Sequence, residues 1–152
     1  MTSVFARKAL LPDGWADDVL LRISNGRIDA VTRGATPQDA TAATGCIIPG
    51  LCNAHSHAFQ RALAGRTEER SPAGHDSFWT WRERMYELAA MLDPDLLRAI
   101  ARQAYTEMLL SGYTTVAEFH YLHRDPATNS AGMRMFDALA DAASQTGIRL
   151  TY

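Results

Sequence analysis

The order of apolar patterns beyond residue 46 constrains the fold more than any other feature. Three short runs rich in β-branched and aromatic residues, "CIIPGLCNAHSH", "YTTVAEFHY" and "IRLTY", begin at Cys46, Tyr113 and Ile148. Helical patterns separate them. In "DSFWTWRERMYELAAML", Phe78, Trp81, Met85, Leu88 and Leu92 recur at three- and four-residue spacing, which predicts one apolar helix face with Asp76 or Ser77 as its cap. Asp93-Pro94 offers an N-cap and a proline at the first helical position of a second helix. Its inner face would carry Leu97, Ile100, Ala104 and Met108, with Gly112 just past its end. "AGMRMFDALADAASQTG" predicts a third helix closed by Gly147. Strands alternating with helices argue for parallel β/α units joined by right-handed crossovers.

The first 46 residues have a different texture. "SVFARKALL", "DDVLLRIS" and "RIDAVTRG" are short strand patterns, and Asn25-Gly26 is a two-residue hairpin signal. "GATPQDATAATG" reads as a polar connector. Residues 1–46 are therefore expected to form a small antiparallel β unit, and 47–152 the first β/α units of a second domain. Three parallel strands leave an uncovered face and open edges, whereas a closed (β/α)8 barrel takes about 250 residues. The expectation is an α/β chain that forms the N-terminal part of a larger fold.

Composition removes several function classes. The 152 residues carry a formal net charge of −2 with no run of like charges, so neither a nucleic-acid groove nor a polybasic membrane anchor is indicated. No apolar run approaches the ~20 residues of a membrane span, and the N-terminus lacks the apolar core of a signal peptide. Cys46 and Cys52 are too few for a disulfide scaffold and are expected to be reduced thiols of a cytoplasmic protein.

The chemistry-bearing stretch is "PGLCNAHSHAFQRALAG". On a strand, residues two apart point to one face, so His55 and His57 would present both imidazoles about 6.5 Å apart at the backbone. That separation lets two nitrogens converge on one ion with bonds of about 2.0–2.1 Å. The alternative is a pair of polar loop residues. A catalytic zinc usually takes three protein ligands and a water, so two histidines do not complete a site. His120 and His123 in "EFHYLHR" are expected as loop or structural histidines, and His75 as a solvated one. Glu118, a charge inside a strand pattern, is either buried with a partner or functional. Trp79 and Trp81 are expected in the core, and Arg82 from the pattern alone is a solvated charge.

The same residues carry a resemblance. "PGLCNAHSHAFQRALAG" resembles the first barrel strand of the amidohydrolase superfamily, whose H-x-H pair binds a catalytic metal. "HSHAFQRALAG", "DSFWTWRERMY" and "SGYTTVAEFHY" resemble the formimidoylglutamate deiminase family within it. The resemblance implies a metal-dependent (β/α)8 barrel preceded by part of a small β-sandwich. It implies His55 and His57 as metal ligands, and Gln60, Arg82 and Tyr121 as substrate contacts. The metal implied is Zn2+, with Fe2+ the other option, since imidazole suits several transition metals. The implied reaction is hydrolysis of N-formimino-L-glutamate to N-formyl-L-glutamate and ammonia, a step of histidine degradation, by a homodimer with no nucleic-acid or membrane partner. The remaining ligands and the general acid/base of the family have no counterpart in these residues. The 152 residues alone are therefore expected to be inactive. A deaminase of a purine- or pyrimidine-like ring and an inactive truncated module are the alternatives.

Overall fold

The computed structural model describes residues 2–68, 77–125, 128 and 130–152. His75 and Asp76 lie outside the described residues. The chain divides into two units, one through Pro49 and one from Gly50.

The first unit is a four-stranded sheet in the order β3-β2-β1-β4, with β1 at Thr2–Leu11, β2 at Gly14–Ser24, β3 at Arg27–Thr32 and β4 at Thr41–Ala42. The β2–β3 hairpin turns at Asn25 and Gly26, with φ of 49° and 72°. Two consecutive positive φ values define the type I′ turn that Asn-Gly favours. The expected antiparallel unit needs one correction. β4, within the polar connector, pairs parallel to β1, as does an isolated bridge between Ala9 and Ile47. Ile47 accepts from Leu10 N–H and donates to Lys8 C=O, and its side chain packs on Ala9, Ala16, Val19 and Leu21. The apolar run "CIIP" thus adds to this sheet through Ile47, within the unit that ends at Pro49.

The second unit carries a parallel sheet in the order β5-β6-β9, formed by Leu51–Ser56, Tyr113–Glu118 and Arg149–Thr151. A 3-10 segment at Ala58–Leu63 follows β5. Then come α1 (Phe78–Met91) and α2 (Pro94–Leu110). A two-residue hairpin of β7 (Arg124–Asp125) and β8 (Ser130–Ala131) lies between β6 and α3 (Arg134–Thr146). Ser77 caps α1 with its hydroxyl on Trp79 N–H, while Thr80 Oγ1 takes the Ser77 N–H in return. Asp93 Oδ1 accepts from Leu96 N–H at 2.8 Å, and Pro94 is the first residue of α2.

The core of this unit gathers Leu97, Ala101, Ala104 and Tyr105 from α2 with Met135, Ala138, Leu139, Ala142 and Ala143 from α3 and Val116 from β6. Burying a large side chain such as Leu97 or Leu139 contributes about 1.5–3 kcal/mol. The α2 stripe is rotated from the expected one: Ala101 and Tyr105 are buried, while Ile100 and Met108 are only partly so. On α1, Met85 and Leu88 are buried and Trp81 partly so, but Phe78 is exposed. Phe78 is the first helical residue and packs on Trp79 and Trp81 at ring distances of 5.5 and 5.8 Å. Trp79, expected in the core, is exposed as well. No helix among the described residues is long and apolar enough to cross a membrane.

Candidate metal centre

Strand β5 delivers His55, and the first residue beyond it, His57, stands at the N-cap position of the 3-10 segment. The two Nε2 atoms lie 3.0 Å apart, with ring planes at 86°. Two nitrogens bound tetrahedrally at about 2.1 Å to one ion would lie about 3.4 Å apart, so a small ring movement suffices to admit one. Direct contact between two neutral imidazoles needs one Nε2 to donate and the other to accept.

The neighbouring strand decides which. His57 Nδ1 lies 2.9 Å from the Phe119 carbonyl oxygen. A carbonyl only accepts, so Nδ1 carries the proton and Nε2 keeps a lone pair. The residues present therefore fit a cation held by two Nε2 lone pairs, once the His55 proton moves to its other nitrogen. Phe119 also lies 5.8 Å from the His55 ring and 5.6 Å from the His57 ring. Among the described residues no group of three or more His, Cys, Asp or Glu is placed to hold a metal.

Two other expected site residues meet beside this pair. Gln60, on the 3-10 segment, donates through Nε2 to Tyr121 Oη at 3.0 Å and contacts Met85 Sδ at 3.4 Å. Tyr121 Oη lies 3.3 Å from the same sulfur, and its ring is 5.0 Å from that of His57. Burial raises the Tyr121 pKa, against the opposing effect of the Gln60 hydrogen bond.

Arg82 has no recorded contact with the histidine pair. It projects from α1 one turn before Met85, donates to Tyr86 Oη at 3.1 Å, and lies 5.5 and 5.1 Å from the Trp79 and Tyr86 ring centres. Among the described residues it pairs with no carboxylate. Aromatic faces hold it instead.

His120 and His123 pair with each other at a ring distance of 5.2 Å, and His120 faces Phe136. Burial first, and then the His123 charge, lower the His120 pKa. Neither histidine contacts His55 or His57. Glu118 is buried, and its Oε1 accepts from Ala58 N–H at 2.7 Å. The sequence flags Glu118 by its charge in an apolar strand. It gives no sign of the Phe119 carbonyl, because any residue could supply that oxygen.

Residues 46–152 match the amidohydrolase family. The chain belongs to this family. Residues 1–42 match the N-terminal domain described as formimidoylglutamate deiminase HutF. The chain is 46% identical to the formimidoylglutamate deiminase of Pseudomonas aeruginosa, over 99% of its own length and 34% of that relative. Among solved amidohydrolases, the fold matches one from Brucella melitensis with a TM-score of 0.90 at 41% identity, covering 99% of this chain and 34% of that one. It matches the atrazine chlorohydrolase TrzN of Arthrobacter aurescens, solved with zinc, with a TM-score of 0.73 at 25% identity, covering 99% and 34%. The chain thus spans about a third of the length of these three proteins.

Proposed function

We propose that these residues form the N-terminal part of a metal-dependent hydrolase that converts N-formimino-L-glutamate and water to N-formyl-L-glutamate and ammonia. The observation that carries the proposal is the convergence of the His55 and His57 Nε2 atoms beside the Gln60–Tyr121 pair. The name of the Pseudomonas relative supplies the substrate, and the zinc in TrzN supplies the metal class. The unit through Pro49 would contribute to a composite β-sandwich. The whole enzyme would be a cytoplasmic homodimer.

In this reading His55 and His57 hold Zn2+, with Fe2+ the alternative, through Nε2. When bound, the cation supplies Lewis acidity and brings the pKa of water toward about 7. The Phe119 carbonyl keeps the His57 Nδ1 proton in place, which holds the Nε2 lone pair toward the cation. Gln60 and Tyr121 orient the substrate through their N–H and O–H groups. Arg82 receives one of its carboxylates, for which a guanidinium fork is suited. Trp79 and Tyr86 limit the motion of that fork before the substrate arrives.

The test has two arms. Residues 1–152 alone, supplied with zinc and N-formimino-L-glutamate, should release no ammonia. Robust turnover would overturn the view that further ligands and a general acid/base are required. The full-length enzyme should act on N-formimino-L-glutamate and not on purine or pyrimidine rings. A preference for the rings would overturn the substrate assignment.

A further inference from the structure

The β5–β6 ladder is irregular where it carries the histidines. Asn53 pairs with Val116 and Ser56 with Glu118, so three steps on β5 oppose two on β6. The extra residue is a bulge, which re-aims side chains and removes regular ladder bonds. His55 and His57 thus sit where strand pairing holds them least. Three hydrogen bonds from two residues of β6 and its end replace what the ladder loses. Phe119 N–H donates to Ser56 C=O at 2.8 Å, His57 Nδ1 donates to Phe119 C=O at 2.9 Å, and Ala58 N–H donates to Glu118 Oε1 at 2.7 Å.

Only the last of these depends on a side chain of β6. His57 offers no side-chain cap to the 3-10 segment that starts at Ala58. The Ala58 N–H would otherwise be a buried donor without a partner, which segments at this level of burial rarely tolerate. Glu118 is 5% exposed and Ala58 3%. Its second oxygen, Oε2, and the Tyr105 hydroxyl are both buried. The Tyr105 phenol is pushed upward in pKa, by burial first and then by Glu118 nearby, so α2 brings a neutral hydroxyl up behind the carboxylate. A carboxylate is a costly means of capping one N–H in a buried site. The bond it makes in return fixes the backbone next to His57.

We propose that Glu118 is a positioning residue of the metal centre: by holding Ala58 N–H it fixes His57 on the bulged end of β5. This rests on the reading that His55 and His57 hold a cation. Glu118 touches neither cation nor substrate in this arrangement and acts through the backbone at Ala58.

The test uses the full-length enzyme, with Zn2+ affinity measured by chelator competition and the ligand field read from the visible spectrum after Co2+ replacement. Loss of a group that orients a ligand weakens metal binding about 10–100-fold. Glu118→Met, which removes the acceptor, should fall in that range and broaden the Co2+ spectrum at an unchanged far-ultraviolet circular dichroism spectrum. Glu118→Gln keeps an oxygen for Ala58 N–H and should restore affinity to within about threefold of wild type. Affinity in Glu118→Met equal to wild type, or equal losses in both variants, overturns the role of Glu118 and leaves the metal reading standing. Wild-type affinity that does not respond to His57→Ala overturns the metal reading and this inference with it. If Glu118→Met does not fold, amide exchange in the wild type decides. Ala58 N–H should exchange only on global opening, and exchange at the rate of an exposed amide overturns the proposal.

Discussion

Replacing Gly50 by alanine tests how tightly β5 is set against β6. A Cβ at Gly50 would come within 2.9 Å of Thr114 Cβ and closer still to its Cγ2 and Oγ1. Ordinary contact begins near 3.4 Å, so the strands would have to part by at least about half an ångström. A β-branched neighbour has few rotamers with which to yield. Overpacking of this kind costs about 1–3 kcal/mol, and at this chain length each kcal/mol moves the melting temperature by about 2–4 °C. Gly50→Ala should therefore lower it by roughly 2–12 °C in a circular dichroism melt. Thr114→Ala removes the two nearest atoms and leaves the Cβ, so the closest overlap goes and a contact of 2.9 Å remains. The double variant should recover part of the loss, giving a coupling of at least about 0.5 kcal/mol in the cycle. A melt for Gly50→Ala within about 1 °C of wild type, or a strictly additive cycle, would refute the reasoning.

In the full-length enzyme, Arg82→Ala should lower kcat/KM for N-formimino-L-glutamate roughly 10–100-fold, since a hydrogen bond to a charged group is worth about 1.5–3 kcal/mol. Metal content by atomic emission should not change, and metal loss would contradict its assignment to substrate. Arg61 grips Glu107 through two bonds of 2.6 and 2.8 Å, and with Gln103 draws the Glu107 carboxyl from 4.5 down to about 2. A depressed carboxylate stabilises the fold above its unfolded value, and that contribution is lost as pH falls from about 4.5 to about 2. The melting difference between wild type and Glu107→Gln should be small, because the pair is solvent-exposed. It should stay constant above pH 5 and shrink on acidification. A difference that widens toward low pH would rule the link out. Removing the α2 cap with Asp93→Ala should cost about 1 kcal/mol in urea unfolding, and no loss would mean that the bond to Leu96 N–H carries no net stability.

Local rules made some of this architecture legible. Asn25-Gly26 and Asp93-Pro94 announce a turn and a helix start because each satisfies a backbone demand within a few residues. The His55 and His57 Nε2 atoms do lie 3.0 Å apart, but strand parity alone does not account for it, since His57 stands just past the end of the bulged β5. Features set by distant partners stayed hidden. Ile47 looks like the start of the next strand, yet its backbone bonds go to Lys8 and Leu10. The bulge in β5 exists only relative to β6, and periodicity within one strand cannot report it. Spacing put Phe78 on the inner face of α1, but a residue in the first turn has no helix before it to aim it inward, and it packs on neighbouring tryptophans. The apolar stripe of α1 leaves Arg82 on a polar face, and the aromatic rings that hold it stand three residues before and four after it, off that stripe.

The sulfur of Met85 gives the Gln60–Tyr121 pair an unusual readiness. Thioether sulfur is a weak acceptor, and both side chains rest against it, at 3.4 and 3.3 Å. Had α1 offered a carboxylate there, a ligand would have had to break a strong bond before making its own. Against sulfur, the two groups are aimed and ordered by weak bonds, although Gln60 also commits an N–H to Tyr121 Oη. If the proposed substrate binds here, it would meet donors whose bonds to sulfur are weak, and on its departure the same sulfur would take both groups back.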